Sequence, residues 1–365
     1  MGTIIRATLR ATPTHLRRIV PVRRRAARGL VAKVYAQALR DFGVLAPPLT
    51  LHSAAPGPLA AAWVMLRETL VADGLVPRAD KEAVAAAVSL GNSCPYCVQV
   101  HGATMHGLVR GPDALAIATD RVEDIADERT RHIAEWARAS GNRELLAHCP
   151  LPLPLGQVAE LVGVAVTFHY YNRMVNVFLT DSPFPGAPVA ARSVLLRLFG
   201  RFMRPSAGKA HQPGAGLELL PAAPAPPDAA WAANRTVAGA FGRAVAAIDG
   251  AAAAAVPAAV RGLVTAELAG WYGRPAGISR AWVEELAAGL GPADRPAGRL
   301  ALLTAMASYQ VDQSVVDAYR NSVPGDESVV ALTSWASLAA ARRVGGWLWD
   351  EVLRQVPAAT EPPAA

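Results

Sequence analysis

An all-α fold is predicted for this 365-residue chain on three observations. Apolar residues recur at helical spacing, Gly and Ser punctuate the periodic runs, and hydrophobic residues reach 52% while aromatics are only 6%. Abundant Ala with few rings implies small side chains and closely packed helices. At roughly 100–200 residues per domain, the length implies two domains.

Leu30, Val31, Val34, Tyr35 and Leu39 set a first helix, which Gly43 closes after Phe42. Pro47-Pro48 turns the chain, and Leu59 to Leu70, with Trp63 and Leu66, forms a second helix ending before Gly74. A third runs from about Arg78 to Leu90, opened by Asp80, and is broken by Gly91-Asn92-Ser93. Ser93 reads as the N-cap of a fourth helix that starts at the cysteines and ends near Gly107. Asp113 to Ala118, Val122 to Ala139 and Gly156 to Leu179 complete the first half.

Asp181 to Asp228 is rich in Pro, Gly and Ala and reads as a connector, within which the basic amphipathic stretch Val194 to Met203 is expected to strap over one domain. After Trp231 the helices are Val260 to Trp271, Arg280 to Leu290, Arg299 to Tyr309, Ser314 to Asn321 and Ser334 to Val352. Their order repeats that of the first half, as in a diverged duplication: Asp294 to Tyr319 falls where Asp80 to His101 does, and Ser334 to Trp349 where Thr167 to Leu179 does. The second copy reads Ser308-Tyr309-Gln310-Val311-Asp312-Gln313-Ser314 at its corner, without thiol or imidazole, and is expected to be degenerate. The chain thus divides into a basic arm (1–28), a first helical domain (29–182), a connector (183–229), a second helical domain (230–355) and a disordered tail (356–365).

The formal charge of +7 is uneven, because eight arginines from Arg6 to Arg28 precede the first acidic residue, Asp41. With no aromatic residues interleaved for bases to stack on, the arm reads as solvated and not as a nucleic-acid platform. Arg17-Arg18 is followed by Ile19-Val20-Pro21-Val22 and then more arginines, which lacks the apolar core of an export signal. Arg243 and Asp249 interrupt the Ala-rich part near residue 250, so no membrane span is expected. Three cysteines, Cys94, Cys97 and Cys149, are too few for a disulfide scaffold and fit a reducing, cytoplasmic setting.

The chemistry is concentrated between Glu82 and His101. On a helix Cys94, Cys97 and His101 stand at i, i+3 and i+7 and share a face. A pair three residues apart at a helix start can close into a disulfide, and the unpaired N–H groups there are expected to favour a thiolate. His101 can exchange a proton with Cys97, one turn earlier. Glu82 would raise a neighbouring thiol's pKa, so its useful role is the end of a proton relay through His101 or water. Zinc held by Cys94, Cys97, His101 and His106 is a rival reading, although one helix points His106 away from that stripe. Val98 after the second cysteine excludes c-type haem attachment, and the lack of strand character in Glu82 to Leu90 argues against a glutaredoxin-like site. His169 to Arg173 could line a pocket or fill the core.

The string Glu82, Cys94-Pro95-Tyr96-Cys97, His101, set in helix, Gly91-Asn92-Ser93 turn and helix, closely resembles the alkylhydroperoxidase D and carboxymuconolactone decarboxylase superfamily. The resemblance is strongest over Leu59 to Gly107, and Tyr170-Tyr171-Asn172-Arg173-Met174 resembles that family's closing helix. It implies an alkylhydroperoxidase D-like helical domain, usual oligomerisation, and a thiol-dependent peroxidase or disulfide reductase needing no metal or bound cofactor. It further implies Cys97 as the sulfur that attacks peroxide, Cys94 as the resolving thiol, and Glu82 and His101 as relay members. The implied partners are a dithiol electron donor such as a lipoylated protein, and a downstream peroxiredoxin. Decarboxylase members generally lack the cysteine pair. Tyr96 stands where mycobacterial-type members carry a histidine. The alternative from another class is a non-catalytic redox-sensing or interaction protein, whose disulfide alters how the basic arm or second half meets a partner.

Overall fold

A computed structural model describes residues 16–355 except 110–112, 152 and 233. The described residues are helical apart from loops and one isolated antiparallel bridge between Leu16 and Leu179. The first half comprises α1 (Gly29–Asp41), α2 (Pro56–Leu66), α3 (Arg78–Gly91), α4 (Pro95–Leu108), α5 (Asp113–Ala118), α6 (Glu128–Ala139) and α7 (Leu155–Phe178). Local chemistry accounts for the ends: Pro occupies the first turn of α2 and α4, and Asp127 caps α6 by accepting from the Thr130 N–H at 2.8 Å. A π-helical turn, Arg67–Val71, extends α2 and buries Arg67, whose Nε bonds Asp41 at 2.9 Å.

After α8 (Val189–Ala207) come α9 (Arg235–Ala252), α10 (Ala258–Gly270), α11 (Ala281–Ala288), α12 (Arg295–Met306), α13 (Gln313–Ser322) and α14 (Asp326–Gln355). The sequence α3, turn, α4 and long α7 recurs as α12, turn, α13 and long α14. The long helices α7 and α14 pack against one another, and α2 packs against α9. One continuous apolar core runs through both halves, from Val34, Trp63 and Phe168 to Leu300, Val330 and Trp347. No helix among the described residues is long and apolar enough to cross a membrane.

Four features depart from expectation. Ser93 does not cap α4. It takes φ 51°, with its N–H bonded to Leu90 O (3.1 Å) and the Cys94 N–H to Ser89 O (2.9 Å), a left-handed closure of α3 that leaves Cys94 at the α4 N-cap. The helix α9, capped by Asn234, falls in a stretch read only as Ala-rich. The strap is longer than Val194 to Met203 and packs along α4.

Residues 16–28, expected as part of a solvated arm, are anchored: the Arg17 N–H donates to Phe178 O at 2.7 Å, Tyr35 Oη donates to Val22 O at 2.9 Å, and Ile19 and Ala27 are buried. Residues 1–15 and the expected disordered tail from 356 lie outside the described residues.

The α4–α8 contact depends on glycine. A Cβ on Gly200 would collide with the Ala103 carbonyl oxygen, and one on Gly107 with the Gly200 carbonyl oxygen. Gly200→Val is expected to lower unfolding free energy in a urea titration by about 1–3 kcal/mol through overpacking.

Candidate functional site

Glu82 lies on the buried face of α3 and His101 on the facing side of α4, and the packing of these two helices brings them together. His101 Nδ1 is 2.7 Å from Glu82 Oε2, and Arg78 Nε donates to Glu82 Oε1 at 2.8 Å from one turn earlier on α3. Burial pulls the Glu82 pKa upward, but Arg78 and His101 outweigh it and hold the group below its usual range. Glu82 is therefore a carboxylate and can only accept, so Nδ1 of a neutral His101 carries the proton and Nε2 is left basic. The ring meets Phe168 edge-on, with centroids 4.5 Å apart, which fixes its plane.

Cys94 and Cys97, at the N-cap and in the first turn of α4, are both free and only 1% and 2% exposed. They stand three residues apart at the start of one helix. The expected thiolate preference is corrected here. Burial pushes the Cys97 thiol well above its ordinary value, and Cys94 adds to this, while the polar side chains of Asn172 and Ser89 only partly oppose it. Removal of water outweighs the helix N-terminus, so at neutral pH Cys97 is a thiol that needs a base.

That base shares a pocket with it. Cys97 and His101 line a narrow cavity of about 50 Å³, walled otherwise by apolar groups that include Phe42, Leu49, Phe168 and Phe199. Tyr96 also lines it, and burial, then Cys97 and Cys94, push its pKa up, so it is a neutral phenol and no substitute for a histidine base.

Two contributors, Arg78 and Ser89, were not singled out by sequence reading. Arg78 was recoverable, because Arg78 and Glu82 stand at i,i+4. Ser89 was not, since its partner Asn172, 2.9 Å away and within the run read as lining a pocket or filling the core, lies 83 residues along the chain. Of the aromatic run on α7, Phe168 and Tyr171 line the pocket, whereas His169 is buried beneath it, 2.9 Å from both Ser140 Oγ and Asn92 Nδ2. Burial, then Arg173, push His169 well below its ordinary pKa, so it is neutral. Cys149 is half-buried, with Sγ 3.6 Å from Leu145 O, and lines a different cavity from the cysteine pair. His106 is exposed, off the Cys97–His101 pocket.

Fold and site together define an all-helical protein with a buried dithiol beside a carboxylate-held histidine. The carboxymuconolactone decarboxylase family profile matches residues 57–139, the segment that holds all four site residues. Over 344 residues, 93% of this chain and 98% of the relative, the sequence is 37% identical to a Mycobacterium tuberculosis protein named alkyl hydroperoxide reductase Rv2159c. The chain belongs to the alkylhydroperoxidase D-like and carboxymuconolactone decarboxylase superfamily.

Because its folded pKa is depressed, Glu82 stabilises the fold above its unfolded value of 4.5, and that contribution is lost as pH falls through the lower folded value. Glu82→Gln strands Arg78 and is expected to cost about 3–5 kcal/mol at pH 7. In paired urea titrations the difference from wild type should shrink progressively below about pH 4.5, the unfolded carboxylate value.

Proposed function

We propose that the protein is a thiol-dependent peroxidase for organic hydroperoxides, with Cys97 as the attacking sulfur, Cys94 as the resolving thiol and the His101–Glu82 pair as the proton relay. The observation that carries this reading is a buried Cys97 sharing an apolar pocket with a histidine whose Nδ1 is held by a carboxylate. A thiol raised by burial is inert until its proton is removed, and an imidazole whose Nδ1 is held by a carboxylate presents Nε2 to remove it. The apolar walls suit the alkyl part of a hydroperoxide, and the narrow space near Cys97 suits its two oxygens.

In the first step His101 Nε2 takes the Cys97 proton while Sγ attacks the terminal peroxide oxygen. The S–O bond forms, the O–O bond breaks, and the alkoxide leaves as alcohol with the proton returned by His101. Cys97 is oxidised to a sulfenic acid and the peroxide is reduced. Cys94 then attacks Cys97 Sγ, the S–S bond forms, and the departing hydroxide takes the Cys94 proton and leaves as water. An external dithiol reopens the disulfide by exchange and is itself oxidised. In this reading Glu82 orients His101 and stabilises its charged form.

The proposed donor is a small or protein-tethered dithiol such as a lipoyl group, with a peroxiredoxin as a further redox partner and the cytoplasm as the reducing setting. Residues 29–182 carry the chemistry, and residues 230–355 act as a degenerate companion.

Donor-coupled consumption of an alkyl hydroperoxide by the purified protein tests this. Turnover should vanish in Cys97→Ser and fall about 100- to 10,000-fold in His101→Ala. Peroxide-dependent oxidation without turnover in wild type would instead identify a redox sensor. In the His101→Ala variant the rate of Cys97 alkylation should keep rising past pH 9, because the raised thiol loses its proton only there. A plateau near neutral pH would contradict the account.

A further inference from the structure

We propose that the cavity on the far side of the Gly91–Ser93 turn is a binding site for a small monovalent carboxylate, held by Arg173. The cavity, about 160 Å³, is lined by Asn92, Ser93, Arg173, Trp271, Arg274 and Ser308 among others. It is assembled only where the halves meet: α7 and the 91–93 turn come from the first, and Trp271 to Pro275 with Met306 to Tyr309 from the second.

Arg173 is 7% exposed. Its Nε donates to Ala305 O at 2.8 Å and its Nη1 to His169 O at 2.6 Å, and the guanidinium lies over the Trp271 ring, 5.6 Å from its centroid. Two of a guanidinium's five N–H donors are thus used, which leaves three on the group that borders the cavity. Burial alone shifts its pKa, down to about 10, so the charge persists at neutral pH and no acidic group among the described residues offsets it. Buried charges are normally paired, because an uncompensated one forfeits its hydration.

The second arginine on the cavity wall, Arg274, is already engaged by Glu144, with Nε 3.3 Å from Oε2. One unmatched positive charge calls for one negative charge, and adjacent N–H donors of a guanidinium match the two oxygens of a carboxylate. A phosphate dianion would leave excess negative charge in the same space. The inference stands apart from the peroxide chemistry, although Ser93 on the cavity wall directly precedes Cys94.

Calorimetric titration of the full-length protein with sodium acetate, and separately with sodium phosphate and sodium chloride at matched ionic strength, tests the site. Wild type is expected to bind one acetate per chain with a dissociation constant of about 1 mM and to show a higher Tm in acetate than in chloride. Arg173→Met should abolish binding. Met306→Trp, which fills the cavity from the second half and keeps the guanidinium, should weaken it at least about tenfold and decides the matter if Arg173→Met does not fold. Three results would each overturn the proposal: no saturable acetate binding up to about 50 mM, phosphate binding in preference to acetate, or unchanged acetate binding in Met306→Trp.

Discussion

The buried chain of contacts from Arg78 through the Glu82 carboxylate to His101 constrains the corner around it. A carboxylate with no exposure to water persists only when cations or hydrogen-bond donors replace its hydration, and here one partner comes from its own helix and the other from the next. The α3–α4 corner must therefore close at one angle. The Gly91–Ser93 turn meets that demand by placing Ser93 in the left-handed region, which reverses the chain and sets Cys94 at the start of α4. Cys97 and His101 then follow on one stripe, one turn apart.

Burial serves two ends at this corner. It raises the Cys97 thiol's pKa, which disfavours the reactive thiolate, and it strengthens the Glu82–His101 contact that the proposed mechanism uses to remove the proton. The apolar lining comes from α2, α7, α8 and the segment from Phe42 to Leu49, and α8 closes one side through glycine contacts too tight for any side chain. Among the described residues, the second half contributes no groups to the Cys97 pocket. It supplies α14, against which α7 packs, and so fixes the helix that carries Phe168, Tyr171 and Asn172.

Much of this was legible in the sequence because it is local. The order of the helices follows apolar spacing, Gly43 at φ 88° ends α1 as its position implies, and the offsets between Glu82, Cys94, Cys97 and His101 already placed them on facing surfaces of neighbouring helices. What escaped depends on distant partners. Ser93 looks like an N-cap by composition, and only the hydrogen bonds back to α3 show it to be the end of the preceding helix. The thiolate expected at a helix N-terminus gives way to burial that no short window reveals. Arg17 resembles a free basic residue until Phe178, far along the chain, accepts its N–H. Arg173 looked like part of a core helix, and its isolation from carboxylates is a property of the assembled halves.

The central claim is that Cys97 and Cys94 act in sequence on a peroxide. Mass mapping of the reduced protein after one equivalent of an alkyl hydroperoxide tests it most directly. The account predicts a disulfide between Cys94 and Cys97 in wild type and a trapped sulfenic acid on Cys97 in Cys94→Ser, with Cys149 untouched. Oxidation confined to Cys149, or a cysteine pair that stays reduced, would contradict it.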